Sequence, residues 1–195
     1  MFDETAVLDA ATHEFRVHGF ADTSTGQLCE AAGVGRSTLY NTFTSKEELF
    51  VRALEHYLET TSAAHATILE DEALDGMARL RALLDLVLEE EAAAARKGHA
   101  AGCMVVGTRM TPDMAGRDER VKQLLDRGLG HQLAALAAVV RQGQVDGSIT
   151  KKNTPQDAAQ LVISLISGIR VMAQAGTTTE DLRTVASLGL TALRS

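Results

Sequence analysis

Cysteine is scarce in this chain. Cys29 and Cys103 lie far apart and form no CxxC pair, which excludes a disulfide framework and a zinc-finger spacing and makes a reducing compartment the simple expectation. Proline is as rare, at two residues in 195, and beside 45% apolar and 23% charged residues this excludes a disordered chain. No long apolar run occurs. The longest, Ala158 to Ile169, is interrupted by Gln160, Ser164 and Ser167 and stops at Arg170, short of the roughly 18 apolar residues that a membrane-spanning helix needs. The opening residues Met1-Phe2-Asp3-Glu4 lack the basic and apolar stretches of a signal peptide, so a cytoplasmic chain with no membrane partner is expected. Basic residues are outnumbered, 19 against 26 acidic, and the net charge of -7 by itself argues against nucleic acid. Catalytic signatures are lacking as well. There is no HExxH, nucleophile elbow, Gly-rich cofactor loop or pair of catalytic acids, so no enzyme, cofactor or resident metal is expected.

What is present is helix. At 195 residues the chain can bury one sizeable core or join a small module to a medium one, and its abundant alanine and leucine favour helix over sheet. Residues 4 to 18 set Val7, Leu8, Ala11 and Phe15 at helical spacing, with Asp3 as N-cap and Gly19 just past the end. Ser24 and Gln27 form a capping-box pattern that opens a second helix to about Ala32, which Gly33 breaks. Arg36 to Thr42 makes a short third helix. Ser45-Lys46-Glu47-Glu48 then caps a fourth, beginning near Lys46, whose apolar stripe of Leu49, Phe50, Ala53, Leu54, Tyr57 and Leu58 extends past residue 60.

Longer helices follow. Met77, Leu80, Leu83, Leu84, Val87 and Leu88 keep the helical repeat until Gly98 to Gly102 interrupts it before a short segment from Cys103 to Met110. Thr111-Pro112 reads as a cap followed by proline at the first helical position. Val121, Leu124, Leu125, Leu129, Leu133, Leu136 and Val140 mark a long helix ending near Gly143, before a polar loop holding Asp146, Gly147 and Asn153. From Pro155 to about Ala175 the chain is apolar on nearly all sides, so this helix must be buried on more than one face. One of those faces needs a partner, and a final helix from Glu180 to Leu193 adds to it. The dimer surface expected takes Leu161, Leu165, Gly168 and Met172 from the first of these helices and Leu182 and Leu190 from the second.

The segment Leu28-Cys29-Glu30-Ala31-Ala32-Gly33-Val34-Gly35-Arg36-Ser37-Thr38-Leu39-Tyr40 has helix-turn-helix spacing. Small Cys29 and Ala32 let the first helix press on the second, Gly33 permits the sharp turn, and Leu28, Val34 and Leu39 act as buried staples. Arg36, Ser37, Thr38 and Asn41 then point outward, with side chains suited to base edges and phosphates. Residues 7 to 50 resemble the DNA-binding domain of the tetracycline-repressor (TetR-like) family. The matching residues are Val7-Leu8, Ala11, Phe15, Gly19-Phe20, Thr23-Ser24, Leu28, Ala32-Gly33-Val34, Thr38-Leu39-Tyr40, Phe43, Ser45-Lys46-Glu47 and Leu49. The resemblance implies that Arg36, Ser37, Thr38 and Asn41 enter the major groove, while Thr23, Ser24, Tyr40, Lys46 and the amino end of the fourth helix hold phosphates.

The fold expected is therefore all-α, with about nine helices. Residues 1–45 make a three-helix helix-turn-helix domain and 46–195 a helical ligand-binding and dimerisation domain, tied together by the fourth helix. The function expected is a homodimeric repressor released from double-stranded operator DNA by a small-molecule effector. Cys103, Met104, Met110, His131 and Met172 are candidates to line an apolar effector pocket, or are plain core. Cys103 with His99 also raises a thiol sensor or metal ligand, against a buried inert cysteine. Two features cut the other way. Thr25 replaces a common valine, and residues 1 to 57 carry four basic side chains against nine acidic ones, which predicts few phosphate contacts and a shallow salt dependence. That acidity keeps open a helical adaptor without DNA binding, and an all-helical enzyme is the remaining alternative.

Overall fold

The computed structural model describes residues 3–111, 116 and 118–195. Among these the chain forms nine α-helices and no strand, only an isolated bridge between Ile149 and Arg194. They are α1 (Glu4–Asp22), α2 (Thr25–Ala32), α3 (Arg36–Phe43), α4 (Lys46–Leu69), α5 (Gly76–Ala95), α6 (Met104–Met110), α7 (Glu119–Asp146), α8 (Pro155–Gln174) and α9 (Thr179–Thr191). The all-helical expectation holds. Pro112 of the expected Thr111-Pro112 cap lies outside the described residues, and Thr111 closes α6 by donating its N–H to the carbonyls of Gly107 and Thr108. Backbone proximity divides the chain into two compact units, Met1–Thr61 with Cys103–Arg127, and Ser62–Gly102 with Gly128–Ser195.

In the first unit, α1 starts where the Asp3 carboxylate accepts the Ala6 N–H at 3.2 Å and kinks at Gly19, whose φ of 77° is open to glycine. Beyond the kink Phe20 stacks on Phe15 at 6.2 Å and meets the edge of Phe50 at 5.2 Å, while Phe15 meets Phe50 at 5.0 Å. Such pairs contribute about 0.5–1.5 kcal/mol each beyond the area they bury. Leu49, Phe50, Ala53, Leu54 and Tyr57 of α4 form the spine of this core, and Leu28, Leu39, Phe43, Met104, Val121 and Leu125 close around it. A buried hydrogen bond, Thr12 Oγ1 to the Ala53 carbonyl at 3.2 Å, fixes α1 against α4.

The second unit packs Leu80, Leu83, Leu84, Val87 and Leu88 of α5 against Leu136 and Val140 of α7, Val162 and Ile169 of α8, and Leu182, Ala186 and Leu190 of α9. Here two expectations are corrected. Leu182 and Leu190, at 1% and 3% exposure, belong to the chain's own core rather than to a partner-facing surface. Gly143 does not end its helix. It lies inside α7 because its missing side chain makes room for others: a Cβ at Gly76 would sit 2.5 Å from the Gly143 Cα, and one at Gly143 would sit 2.5 Å from Ile149. The helix stops three residues later, at Asp146, with Gly147 at a φ of 86°.

Arg170 is buried and pairs with Glu91 at 2.7 Å and with Glu90, while the second Glu91 oxygen accepts the Ala101 N–H at 2.9 Å. The guanidinium is thus neutralised where an unpaired charge would cost several kcal/mol. His65 lies close by, and burial pushes its imidazole below the usual histidine value, opposed by Glu90 and reinforced by Arg170.

The amino end of α5 is capped from afar. The Asp146 carboxylate accepts the Gly76 N–H at 3.0 Å and the Ser148 N–H at 2.8 Å, and the Ser148 hydroxyl accepts the Met77 N–H at 3.1 Å. Bonds from Ser148 first, then from Gly76, hold the Asp146 carboxyl below the ordinary carboxylate value. A depressed folded-state value means the carboxylate stabilises the fold above its unfolded value, roughly 3.9, and stops doing so as pH falls through the folded value. Denaturant midpoints should therefore be lower for Asp146→Asn than for the parent at neutral pH, with the gap closing in acid. A gap that persists unchanged at low pH would contradict this capping role.

Candidate nucleic-acid interface

α2 and α3 are eight residues each, too short to persist alone in water, so caps and burial must hold them. α2 opens on a complete capping box: Ser24 Oγ accepts the Gln27 N–H at 3.2 Å, and Gln27 Oε1 accepts the Ser24 N–H at 2.8 Å. It ends at Gly33, left-handed with φ 64°, where the Val34 N–H reaches back to the Cys29 carbonyl at 3.0 Å. The chain turns through Val34 and Gly35 into α3. Leu39 and Phe43 are buried, and helical geometry then leaves Arg36, Ser37, Thr38 and Asn41 in solvent together. No acidic residue lies on α3, and the Arg36 guanidinium lies 5.9 Å from the centre of the Tyr40 ring.

Between α3 and α4, Thr44 takes a φ of 55°, and the Ser45 N–H donates to the Phe43 carbonyl across it. This is a γ-turn of the strained, positive-φ kind. It brings the amino end of α4 close behind α3, where Ser45 Oγ accepts the Glu48 N–H at 3.1 Å. Lys46 lies on this first turn with its ammonium 4.3 Å from the centre of the Phe20 ring. Tyr40 is half-buried and shares a 2.9 Å hydrogen bond with Thr25 Oγ1 at the start of α2.

Of the eight residues expected at a DNA surface, seven have exposed or half-buried side chains in this region. Thr23 is the exception. It is fully buried, and its hydroxyl donates to the Gly19 carbonyl at 2.6 Å, tying off the kinked end of α1. Its expected phosphate contact through the side chain gives way to this structural role. Thr25 is the residue that sequence reasoning missed. Its partner lies 15 positions away across the turn, beyond any local pattern. Several of the unit's acidic side chains are engaged, Glu4 with Arg52, Asp9 with His56 at 2.6 Å, and Glu48 with Arg120 at 2.9 Å.

Residues 7–53 match the family model for bacterial regulatory proteins of the tetR family, and residues 76–188 match that for the tetracyclin repressor-like C-terminal domain. The chain belongs to the TetR family. Among TetR relatives, the transcriptional repressor ComR of Escherichia coli K12 is 29% identical over 194 residues, spanning 97% of this chain and 88% of ComR. The transcriptional regulator TtgR of Pseudomonas putida is 32% identical over 165 residues, 84% of this chain and 76% of TtgR. A cysteine mutant of the TetR regulator CifR, solved with 26-bp double-strand operator DNA, superposes with a TM-score of 0.80 at 27% identity, covering 98% of this chain and 97% of that one. As a TetR regulator the protein is a DNA-binding transcriptional regulator, and the named relatives are regulators rather than enzymes.

The residues expected around an effector divide between the two units. Met104 is buried in the first unit's core and Cys103 is half-buried there with the Tyr57 hydroxyl 3.6 Å from its sulfur, while Met110 is 69% exposed. His131 and Met172 belong to the second unit and both face solvent. A cleft of about 320 Å³ in that unit, between α7 and α8, is lined by Leu133, Arg141 and Gln160 among others and includes none of the five. His99 and Cys103 are not on one helix, because Gly98 and Gly102 at φ 84° and 70° separate α5 from α6. Among the described residues no three His, Cys, Asp or Glu side chains group to hold a metal, and no helix is long and apolar enough to cross a membrane.

The Thr25–Tyr40 bond generates a test. Thr25→Val and Tyr40→Phe should each lower stability by about 0.5–1.5 kcal/mol, and the double variant should cost little more than either one. Equilibrium denaturation of the four proteins gives the coupling, and strictly additive losses would mean that the two hydroxyls do not interact.

Proposed function

We propose that the protein is a repressor that grips operator DNA as a homodimer and lets go when a small molecule binds. The observation that carries the reading is the exposed, acid-free face of α3, with Arg36, Ser37, Thr38 and Asn41 side by side. In this reading these four side chains meet base edges in the major groove, and Ser24, Thr25, Tyr40, Lys46 and the amino end of α4 meet the flanking phosphates. The operator complex of CifR, a relative covering nearly the whole chain, supports the same use of this domain. DNA binding assigns the protein to the bacterial cytoplasm and gives it no catalytic task.

The dimer is proposed through α8 and α9. Leu161 and Leu165 are half-buried, and Gly168 and Met172 exposed, along one face of α8. Val185 and Leu188 take the place expected for Leu182 and Leu190 on α9, with Leu188 67% exposed. Leu165 rests on Gly189, where a Cβ would come within 2.5 Å of it, so the two helices form one continuous apolar surface. Pairing two such surfaces makes a four-helix interface, and in the proposed dimer the two α3 helices lie about 34–36 Å apart, one turn of DNA, or somewhat more. Residues 1–45 then act as the DNA-binding part and 46–195 as the effector and dimer part, with α4 as the mechanical link.

Gel shifts on the DNA upstream of its own gene test the central reading, with expected retardation of a discrete complex. Arg36→Ala should lose about 1–3 kcal/mol of specific binding if its guanidinium pairs with guanine. Unchanged affinity would make Arg36 a bystander, and no retardation by the parent protein would favour the adaptor that the acidic first unit allows. Leu188→Glu should shift sedimentation from dimer to monomer and weaken DNA binding together. A variant that still sediments as a dimer would place the interface elsewhere.

A further inference from the structure

A second cleft of the second unit, about 280 Å³, opens between α5 and α9. Leu84 and Leu190 form its floor, and its rim carries Arg81 and Asp85 from α5, Arg183 from α9 and Arg194 from just beyond α9. Three arginines and one carboxylate thus line a single cleft in a chain whose net charge is -7. Arg183 is matched, since its Nη1 lies 2.9 Å from Asp85 Oδ1. Arg81 and Arg194 make no ion pair among the described residues. Arg194 is not a loose tail: its backbone bridges to Ile149, and the neighbouring Leu193 carbonyl accepts the Thr150 N–H at 2.9 Å. Arg81 and Arg194 are both exposed at the rim, and an anion with an apolar body would meet their unmatched charge there and the leucines beneath it.

The geometry points to a binding site for a small amphipathic monocarboxylate between α5 and α9. The planar guanidinium fork of Arg81 or Arg194 takes the carboxylate through paired N–H donors, while the acid's hydrocarbon part lies on Leu84 and Leu190. A space of this size admits on the order of ten non-hydrogen atoms, which excludes nucleotides and favours a medium-chain aliphatic or a simple aromatic acid. Asp85 competes with the ligand for positive charge, so it sets a ceiling on affinity. The site is separate from the α3 surface, and it stands whether or not the chain binds operator DNA.

Calorimetric titration of the intact protein with octanoate tests it, with octanamide and inorganic phosphate as controls. Saturable octanoate binding is expected, at least tenfold weaker in the Arg81→Gln/Arg194→Gln variant and several-fold tighter in Asp85→Asn, with no binding of octanamide. Both arginine side chains are exposed and unmatched, so the double variant should keep the parent's melting curve, and the gain in Asp85→Asn stands as an independent readout if it does not. No octanoate binding to the parent protein, equal affinity in the double variant, equal binding of octanamide, or displacement of octanoate by phosphate at equal concentration would each overturn the assignment.

Discussion

Burial of Leu39 and Phe43 is the constraint on which the recognition face depends. An eight-residue helix gains too few internal hydrogen bonds to offset its ordering entropy, so α3 exists because these two side chains are taken into a core built by Leu28, Phe15 and the α4 spine. Once positions 39 and 43 point inward, the helical repeat turns 37, 38 and 41 outward without further instruction. The aromatic trio of Phe15, Phe20 and Phe50 then fixes where that core lies, and Phe20 carries the Lys46 ammonium on its other contact. One packing decision thus serves both the stability of the unit and the layout of its surface.

Much of this was legible in the sequence because it is local. Caps at Asp3, Ser24 and Ser45, and the break at Gly33, are short-range chemistry that a linear chain displays openly. What escaped was decided by contacts far apart in sequence. Gly143 looked like a helix stop, yet it is a point of close approach to Gly76 and Ile149. Leu182 and Leu190 share an apolar pattern with Val185 and Leu188, and only the packing of α9 on α5 sorts which pair is core and which is exposed. Thr23 reads as a polar residue at a helix start, but the kink at Gly19 draws its hydroxyl inward. The methionines carry no positional signal, since a flexible apolar side chain suits a core and a cavity equally.

The acidity of the first unit is less at odds with DNA than its total suggests. Glu4 pairs with Arg52, Asp9 hydrogen-bonds His56 and Glu48 pairs with Arg120, and α3 carries none of the nine acidic residues of positions 1 to 57. Pairs this exposed contribute little to stability, so their arrangement matters chiefly for the field near the exposed face of α3. On the proposed reading, the regulator leans on hydrogen bonds to bases and on two half-sites acting together more than on bulk phosphate attraction.

Selection of binding sites from random double-stranded DNA with the intact protein tests the central claim most directly, because it asks α3 to read sequence rather than merely to stick. The account predicts enrichment of a palindrome whose half-site centres lie about one helical turn apart, and loss of that enrichment when Ser37, Thr38 and Asn41 are replaced by alanine. Recovery of unenriched DNA, or the same palindrome from the alanine variant, would contradict it.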